Sequence, residues 1–188
     1  MGQRRDAEKS RNRFQCRTIR LFLQVLPKPS IGAMRIALFE PDIPQNTGTI
    51  LRLAACLGVE AHIVEPAGFP TSDRAFRRAG MDYLDQVALT RHASWRAFDD
   101  WRKADGARLI LFTTAATMRF FEYDFRPGDI LLFGRESAGV PEHVHRTADA
   151  RLVVPMRAGL RSLNVAVAAA MGLGEAMRQV GGWPSAPS

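Results

Sequence analysis

Residues 35–57 decide the fold class, and they carry the sequence RIALFEPDIPQNTGTILRLAACL. The apolar run at 35–39 predicts a buried strand, which must end before Pro41 because proline cannot donate to a strand ladder. Asn46 is a favourable N-cap, so we expect a helix that continues from there until Gly58 ends it. A strand followed by a helix is the repeating unit of α/β proteins.

The same alternation continues along the rest of the chain. Apolar runs predict strands, and capped segments with a helical period predict helices between them. The further predicted strands lie at 61–64, 108–113, 129–133 and 151–154. The further predicted helices lie at 74–78 (capped by Ser72 and Asp73), 95–103 (capped by Ser94) and 163–179. We therefore expect an α/β fold with a mainly parallel sheet and helices on both faces.

Basic residues are concentrated at the start of the chain. The 188 residues include 26 Lys and Arg against 19 Asp and Glu, a net charge of +7. Residues 1–33 hold eight basic and two acidic residues, which is +6, so residues 34–188 contribute +1. We expect 1–33 to be a basic extension, either disordered or created by a start codon placed too far upstream, before one domain at 34–188.

Composition and missing motifs disfavour several classes of protein. The two cysteines, Cys16 and Cys56, cannot form a disulfide framework and suit a reducing compartment. No apolar run is long enough to cross a bilayer, so we expect no membrane partner. Neither a dinucleotide-binding glycine motif nor a P-loop is present. His143 and His145 lack an evident third ligand, so we expect a solvated pair and no metal.

Three segments at strand ends or helix starts combine residues that suit ligand binding. NTGTILR at 46–52 leads into the first helix, whose backbone N–H groups could meet an anion. FGRESAGVP at 133–141 follows a strand, and its glycines let a ligand approach the backbone. VPM at 154–156 precedes SLN at 162–164, where Ser162 is a suitable N-cap. Taken singly, each is also compatible with an ordinary turn or cap.

Together the three segments resemble, in order, the three motifs of the SpoU branch of the SPOUT methyltransferases. Four connecting segments resemble the TrmL type, the tRNA (cytidine/uridine-34-2′-O)-methyltransferases: FEPDIPQN at 39–46, VEPAGF at 64–69, RRAGMDY at 77–83 and TRH at 90–92. This resemblance implies a C-terminal trefoil knot, S-adenosylmethionine (SAM) as cofactor, and a homodimer with its active site at the interface. It also implies methylation of the ribose 2′-OH of the tRNA wobble nucleotide, in the cytoplasm.

The resemblance further implies which residues form the site. The key catalytic residue is Arg52, while Asn46, Ser162 and Asn164 orient Arg52 and the ribose. The cofactor contacts fall on Phe112, Thr113, Gly134, Val154, Met156, Ser162 and Leu163. Candidates for contact with the RNA backbone are Arg77, Arg78 and Arg161. A guanidinium stays protonated in proteins, so we expect Arg52 to grip a phosphate or polarise the 2′-OH rather than act as a base. We expect Glu136 to accept hydrogen bonds within its own loop.

Other functions remain open from sequence. A 2′-O-methyltransferase acting on ribosomal RNA or another tRNA position would use the same chemistry, and a non-catalytic RNA-binding module would keep only the knotted fold. A serine hydrolase at Ser137 is disfavoured because Gly134 stands three residues before it rather than two. The apolar face of the last helix suits either a buried core or a dimer interface, and it includes Leu163, Val167 and Met171.

Overall fold

The computed structural model describes residues 34–70 and 74–185. The predicted extension at 1–33 and the predicted caps Ser72 and Asp73 lie outside the described residues. The strands are β1 (Arg35–Phe39), β2 (Glu60–Val64), β3 (Leu89–His92), β4 (Leu109–Phe112), β5 (Met118–Arg119), β6 (Ile130–Phe133) and β7 (Ala150–Val153). The helices are α1 (Pro44–Leu57), α2 (Arg74–Gly80), α3 (Trp95–Asp105), α4 (Glu142–Thr147) and α5 (Val165–Val180), with 3-10 turns at Met81–Asp85 and Phe120–Glu122.

All seven strands join one sheet in the order β3-β2-β1-β6-β4-β7-β5, and every pairing is parallel. The predicted α/β fold with a parallel sheet is therefore confirmed. Parallel pairing places the carboxyl ends of all the strands at one edge of the sheet, where loops meet helix starts. The predicted trefoil knot stays a prediction.

Side chains of β1 alternate between two cores, one on each face of the sheet. Ile36 and Leu38 belong to a cluster that α1, α2 and α5 cover. Ala37 and Phe39 belong to a second cluster that α3 and α4 cover through Phe98 and Val144. Because both faces are buried, this strand is apolar along nearly its whole length.

Helix α1 begins earlier than the sequence predicts. Ile43 is its N-cap and Pro44 its first residue, so the prediction that Asn46 is the N-cap is wrong. Proline suits the first helical position because the N–H that it lacks would have no partner there. Asn46 therefore lies inside the first turn, and its side chain bonds to other segments. Gly58 ends the helix in the left-handed conformation, with a φ of 66°.

Helix α5 begins later than predicted, at Val165. Its N-cap is Asn164, whose Oδ1 accepts hydrogen bonds from the N–H groups of Ala166 and Val167 at 2.8 and 3.3 Å. The prediction that Ser162 caps this helix is therefore wrong. Asparagine and serine are comparable N-caps, so residue type alone does not choose between the two positions.

The apolar face at the start of α5 is left exposed by the residues that the structure describes. Leu163, Val167 and Met171 are 39%, 48% and 41% exposed. The interpretation of these three side chains as core residues is therefore wrong. The three residues follow one another at intervals of four. Val167 and Met171 therefore lie on one side of α5 and, with Leu163, form an exposed apolar surface.

Two histidines are buried between β2, β3 and α3. His62 Nδ1 lies 3.1 Å from His92 Nε2, and the centroids of the His62 and Trp101 rings are 4.4 Å apart. Burial, followed by the positive charges of His92 and Arg35, lowers the pKa of His62 to about 3, although Asp105 opposes this shift. Burial also lowers the pKa of His92. His62 is therefore neutral in the folded protein at pH 7.

We predict that the protein loses stability between pH 7 and pH 5, because His62 gains a proton in the unfolded chain but not in the folded one. A pKa of 6.5 unfolded and about 3 folded corresponds to a loss on the order of 2 kcal/mol over this range. Guanidinium denaturation at both pH values measures it. His62→Phe should reduce the loss, with the share of His92 remaining, and His145→Gln, in α4, should leave it unchanged. An equal loss in the wild type and in His62→Phe would contradict the prediction.

Candidate active site

A cleft with a cavity volume of about 170 Å³ opens at the carboxyl ends of β4, β6 and β7, beside the start of α5. The loops that follow neighbouring parallel strands commonly form ligand sites at this edge. All seven residues predicted to contact a cofactor line this cleft: Phe112, Thr113, Gly134, Val154, Met156, Ser162 and Leu163. The structure thus brings together residues from separate parts of the chain.

Two stacked aromatic rings form part of the cleft wall. The centroids of Phe112 and Phe133 are 4.9 Å apart, with an angle of 26° between the rings. Helix α5 passes close to this pair at Gly172, where an added Cβ would lie 2.5 Å from the Phe112 ring. The lack of a side chain at Gly172 therefore lets α5 pack against the ring.

The loop after β6 folds back on itself where it meets the cleft. The N–H of Arg135 donates to the Gly139 carbonyl at 3.0 Å, and the N–H of Gly139 donates to the Arg135 carbonyl at 2.8 Å. An added Cβ on Gly134 would lie 2.5 Å from the Gly139 carbonyl carbon. Gly139 has a φ of 64°, in the left-handed region. Both glycines are therefore required by the shape of the loop.

Asp42, in the loop between β1 and α1, anchors this folded loop. Its carboxylate accepts hydrogen bonds from the N–H groups of Glu136 and Ser137 at 3.1 and 3.2 Å and from the Ser137 hydroxyl. Burial raises the pKa of Asp42, but these hydrogen bonds outweigh it and hold the pKa below its usual value. The Ser137 hydroxyl is thereby committed to a structural contact with a carboxylate.

The side-chain amide of Asn46 joins the three predicted segments. Its Nδ2 donates to Glu136 Oε2, and its Oδ1 accepts from Asn164 Nδ2 at 2.9 Å. The prediction that Glu136 accepts bonds within its own loop is wrong, because its partner comes from α1. Asn164 meanwhile uses its own oxygen to cap α5. One chain of hydrogen bonds therefore connects α1, the loop after β6 and the start of α5.

Arg52 does not line this cleft. It follows Asn46 by six residues, so it lies about 240° further around α1. Its guanidinium contacts Met81 Sδ, 3.3 Å from Nη1, and the ring of Tyr83. The structure does not bring Arg52 to Asn46, Ser162 or Asn164 within one chain.

The three arginines predicted to contact RNA are exposed. Arg77 and Arg78 lie on α2, immediately before the 3-10 turn that contacts Arg52, and Arg161 lies beside the cleft next to Ser162. Over residues 34–70 and 74–185, none of the three has a carboxylate within ion-pairing distance. Within the described part of the chain, their charges are therefore not neutralised by an ion pair.

The described part of the chain offers neither a metal-binding cluster nor a membrane-spanning helix. No group of three or more His, Cys, Asp or Glu side chains there is arranged to hold a metal ion. None of the described helices is both long and apolar enough to span a membrane.

Comparison with known proteins identifies the family. The SpoU rRNA Methylase family matches residues 33–174. The chain belongs to this family. The predicted membership of the SpoU branch is confirmed.

Relatives and solved structures agree with this family. A tRNA (cytidine(34)-2′-O)-methyltransferase from Beijerinckia indica is 68% identical over 146 residues, which cover 78% of this chain and 91% of that protein. A structure described as "Structural insights into the 2-OH methylation of C/U34 on tRNA" matches with a TM-score of 0.74 and 41% identity, covering 80% of this chain and 97% of that one. The SpoU methyltransferase AviRb from Streptomyces viridochromogenes, in complex with AdoMet, matches with a TM-score of 0.73 and 28% identity, covering 82% and 62%.

Nothing in the local sequence pattern around Asp42 marks it as part of the site. Its partners Glu136 and Ser137 lie 94 and 95 residues further along the chain. The only available signal is its place in the segment FEPDIPQN, which the family resemblance includes.

We predict that Asp42→Asn loosens the loop after β6. The substitution replaces one carboxylate oxygen with an NH2 group, which cannot accept the hydrogen bonds that Glu136 and Ser137 donate. Amide hydrogen exchange at Glu136 and Ser137 should accelerate about tenfold, the effect of losing a charge-assisted hydrogen bond. The exposed Asp85→Asn is the matched control and should leave both amides unchanged. Unaltered exchange in Asp42→Asn would show that Asp42 does not hold the loop.

Proposed function

We propose that the protein is a SAM-dependent methyltransferase that methylates the ribose 2′-OH of the wobble nucleotide, cytidine or uridine 34, of tRNA. The observation that carries this proposal is that two of the three family segments line one cleft. Asn46, in the third segment, bonds to both of them through Glu136 and Asn164. The high identity to the Beijerinckia relative supports the same activity in this chain.

SAM fits the chemistry of the cleft. An adenosyl group requires an apolar slot with a few fixed donors and acceptors. Phe112, Val154 and Leu163 supply apolar surface, and Gly134 and Thr113 also line the cleft. Glu136 also lines the cleft, so its carboxylate can face a cationic sulfonium. Bound there, SAM would supply an electrophilic methyl group.

We propose Arg52 as the catalytic residue, with a role that matches its permanent charge. A guanidinium only donates hydrogen bonds, so Arg52 can hold an RNA phosphate or polarise the 2′-OH while another group accepts the proton. An RNA phosphate or water is a suitable acceptor. Ser162 and Asn164, at the cleft and at the cap of α5, orient the ribose. Holding the 2′-oxygen in line with the methyl group contributes several kcal/mol, on the order of what well-oriented reactants gain.

The position of Arg52 favours a homodimer with a shared active site. Arg52 is exposed and does not line the cleft of its own chain. The apolar surface of Leu163, Val167 and Met171 begins at the cleft and runs along α5. A second copy packed on this surface in a two-fold dimer would bury it and bring its own Arg52 to the cleft.

The tRNA would be held mainly through its phosphates. Arg77 and Arg78 precede the turn that contacts Arg52, and Arg161 borders the cleft, so the three could follow one RNA backbone across the dimer. We also propose the trefoil knot that is characteristic of the family, and the cytoplasm as the compartment in which the enzyme meets tRNA.

The direct test is methyl transfer from labelled SAM to bulk tRNA that lacks its native modifications, with the labelled nucleotide mapped after digestion. The wild type should place a 2′-O-methyl group at the wobble position. Arg52→Ala should abolish transfer while its dissociation constant for SAM stays within about threefold, because Arg52 does not line the cleft. Arg96→Ala, an exposed arginine on α3, is the matched control and should remain active.

The same experiment separates the other functions. Label at another tRNA position, or transfer only to ribosomal RNA, would keep the chemistry and overturn the wobble assignment. Absence of both transfer and SAM binding would favour a non-catalytic RNA-binding module. Normal turnover by Arg52→Ala would remove the proposed role of that residue.

We predict that two inactive subunits can complement each other. Gly134→Ala should abolish SAM binding, because its Cβ would collide with Gly139. Heterodimers of Arg52→Ala and Gly134→Ala subunits, purified through two different tags, would contain one intact site of the two. They should recover about half of the wild-type activity if each site draws Arg52 from the partner.

Each homodimeric variant should be inactive on its own. If each site used the Arg52 of its own chain, the heterodimer would contain no intact site and would be inactive. That outcome, or a monomeric wild type in sedimentation, would contradict the shared site.

A further inference from the structure

The guanidinium of Arg52 is held by two uncharged groups. Its Nη1 lies 3.3 Å from Met81 Sδ, and its Cζ lies 5.1 Å from the centroid of the Tyr83 ring. No carboxylate of the described residues, 34–70 and 74–185, lies within ion-pairing distance of it. Arg108 offers a contrast, because it lies over Tyr123 but is also paired with a buried aspartate at 2.7 Å.

Close packing at two glycines brings these groups to Arg52. Gly48 precedes Arg52 by four residues, so the two share one face of α1. An added Cβ on Gly48 would lie 2.7 Å from the Phe76 carbonyl oxygen, so the end of α2 packs directly against the helix backbone. An added Cβ on Gly80 would lie 2.4 Å from the Leu84 side chain, so the following turn is equally tight.

Core packing does not explain the conformation of Met81. Its φ of 51° is uncommon for a residue with a side chain, and the residue is 52% exposed. Exposure of a large apolar side chain in a sparsely populated backbone conformation is unfavourable on both counts. The contact that this conformation does provide is the one between Met81 Sδ and the Arg52 guanidinium.

We propose that Met81 and Tyr83 are positioning residues that fix the orientation of Arg52 without neutralising it. This inference rests on the proposed function, in which Arg52 acts on the ribose 2′-OH or its phosphate. A carboxylate partner would cancel the charge and occupy N–H donors. An aromatic face attracts the cation through its quadrupole, and a thioether is only a weak acceptor, so most of the five N–H donors stay free for RNA.

The test compares Tyr83→Leu, which removes the ring, with Tyr83→Phe, which keeps it. Single-turnover methyl transfer at saturating SAM and tRNA should fall about tenfold in Tyr83→Leu, the scale of a partly desolvated cation–π contact, and should remain near the wild-type rate in Tyr83→Phe. The dissociation constant for SAM should stay within about twofold in both variants, because Tyr83 does not line the cleft. Tyr123→Leu is the matched control, a tyrosine beneath a different arginine.

A second measurement does not depend on turnover. The Arg52 Nε–H resonance, assigned by its loss in Arg52→Lys, should show a ring-current shift in the wild type and in Tyr83→Phe that disappears in Tyr83→Leu. Loss of this shift together with the rate supports positioning by the ring.

Three outcomes would overturn the inference. The first is an unchanged rate in Tyr83→Leu, and the second is an equal loss in Tyr83→Phe. The third is a parallel loss of SAM affinity and thermal stability, which would indicate a merely structural role. By contrast, a wild type that transfers no methyl group to any RNA would overturn the proposed function itself and the inference with it, so the two failures are distinguishable.

Discussion

The two hydrogen bonds of the Asn46 side-chain amide are the interactions on which the rest of the site depends. The amide carries a donor and an acceptor on one rigid group, and it uses both, donating to Glu136 and accepting from Asn164. These partners lie 90 and 118 residues away along the chain. An aspartate here could not donate to Glu136, and it would place a second carboxylate beside it. The position therefore requires an amide, because it must join a carboxylate to a helix cap.

Backbones approach each other closely around this amide because several positions lack side chains. Gly134 lets the loop after β6 close on itself, Gly172 lets α5 pack on Phe112, and Gly48 lets α2 pack on α1. The parallel sheet supplies the common edge at which these loops meet. Asp42 then fixes the loop to the start of α1 through the backbone N–H groups of two residues. Hydrogen bonds of this kind preorganise a ligand site before the ligand binds.

Much of the fold and of the cleft could be predicted from sequence. The sequence from β1 into α1 is a local pattern, and the cleft residues follow from the family resemblance that the three ordered motifs carry. Strand β3 was missed because Leu89–His92 is largely polar, and β5 because it has only two residues.

Predictions from sequence were wrong where two nearby residues are nearly equal as helix caps. They also failed where the partner of a side chain lies far away along the chain. Ser162 and Asn164 are both good caps, and only the structure shows that Asn164 has that role. The partner of Glu136, and the contact of Arg52 with Met81 across 29 residues, depend on tertiary packing that no local pattern encodes.

The central claim is that the segments joined by Asn46 form one cofactor cleft. Titration of the ¹⁵N-labelled protein with SAM tests it most directly, with backbone amide shifts followed residue by residue. The account predicts saturable shifts concentrated at Thr113, Gly134, Met156 and Leu163, with none at the buried histidines of β2 and β3. Absence of saturable shifts, or shifts centred on another part of the molecule, would contradict it.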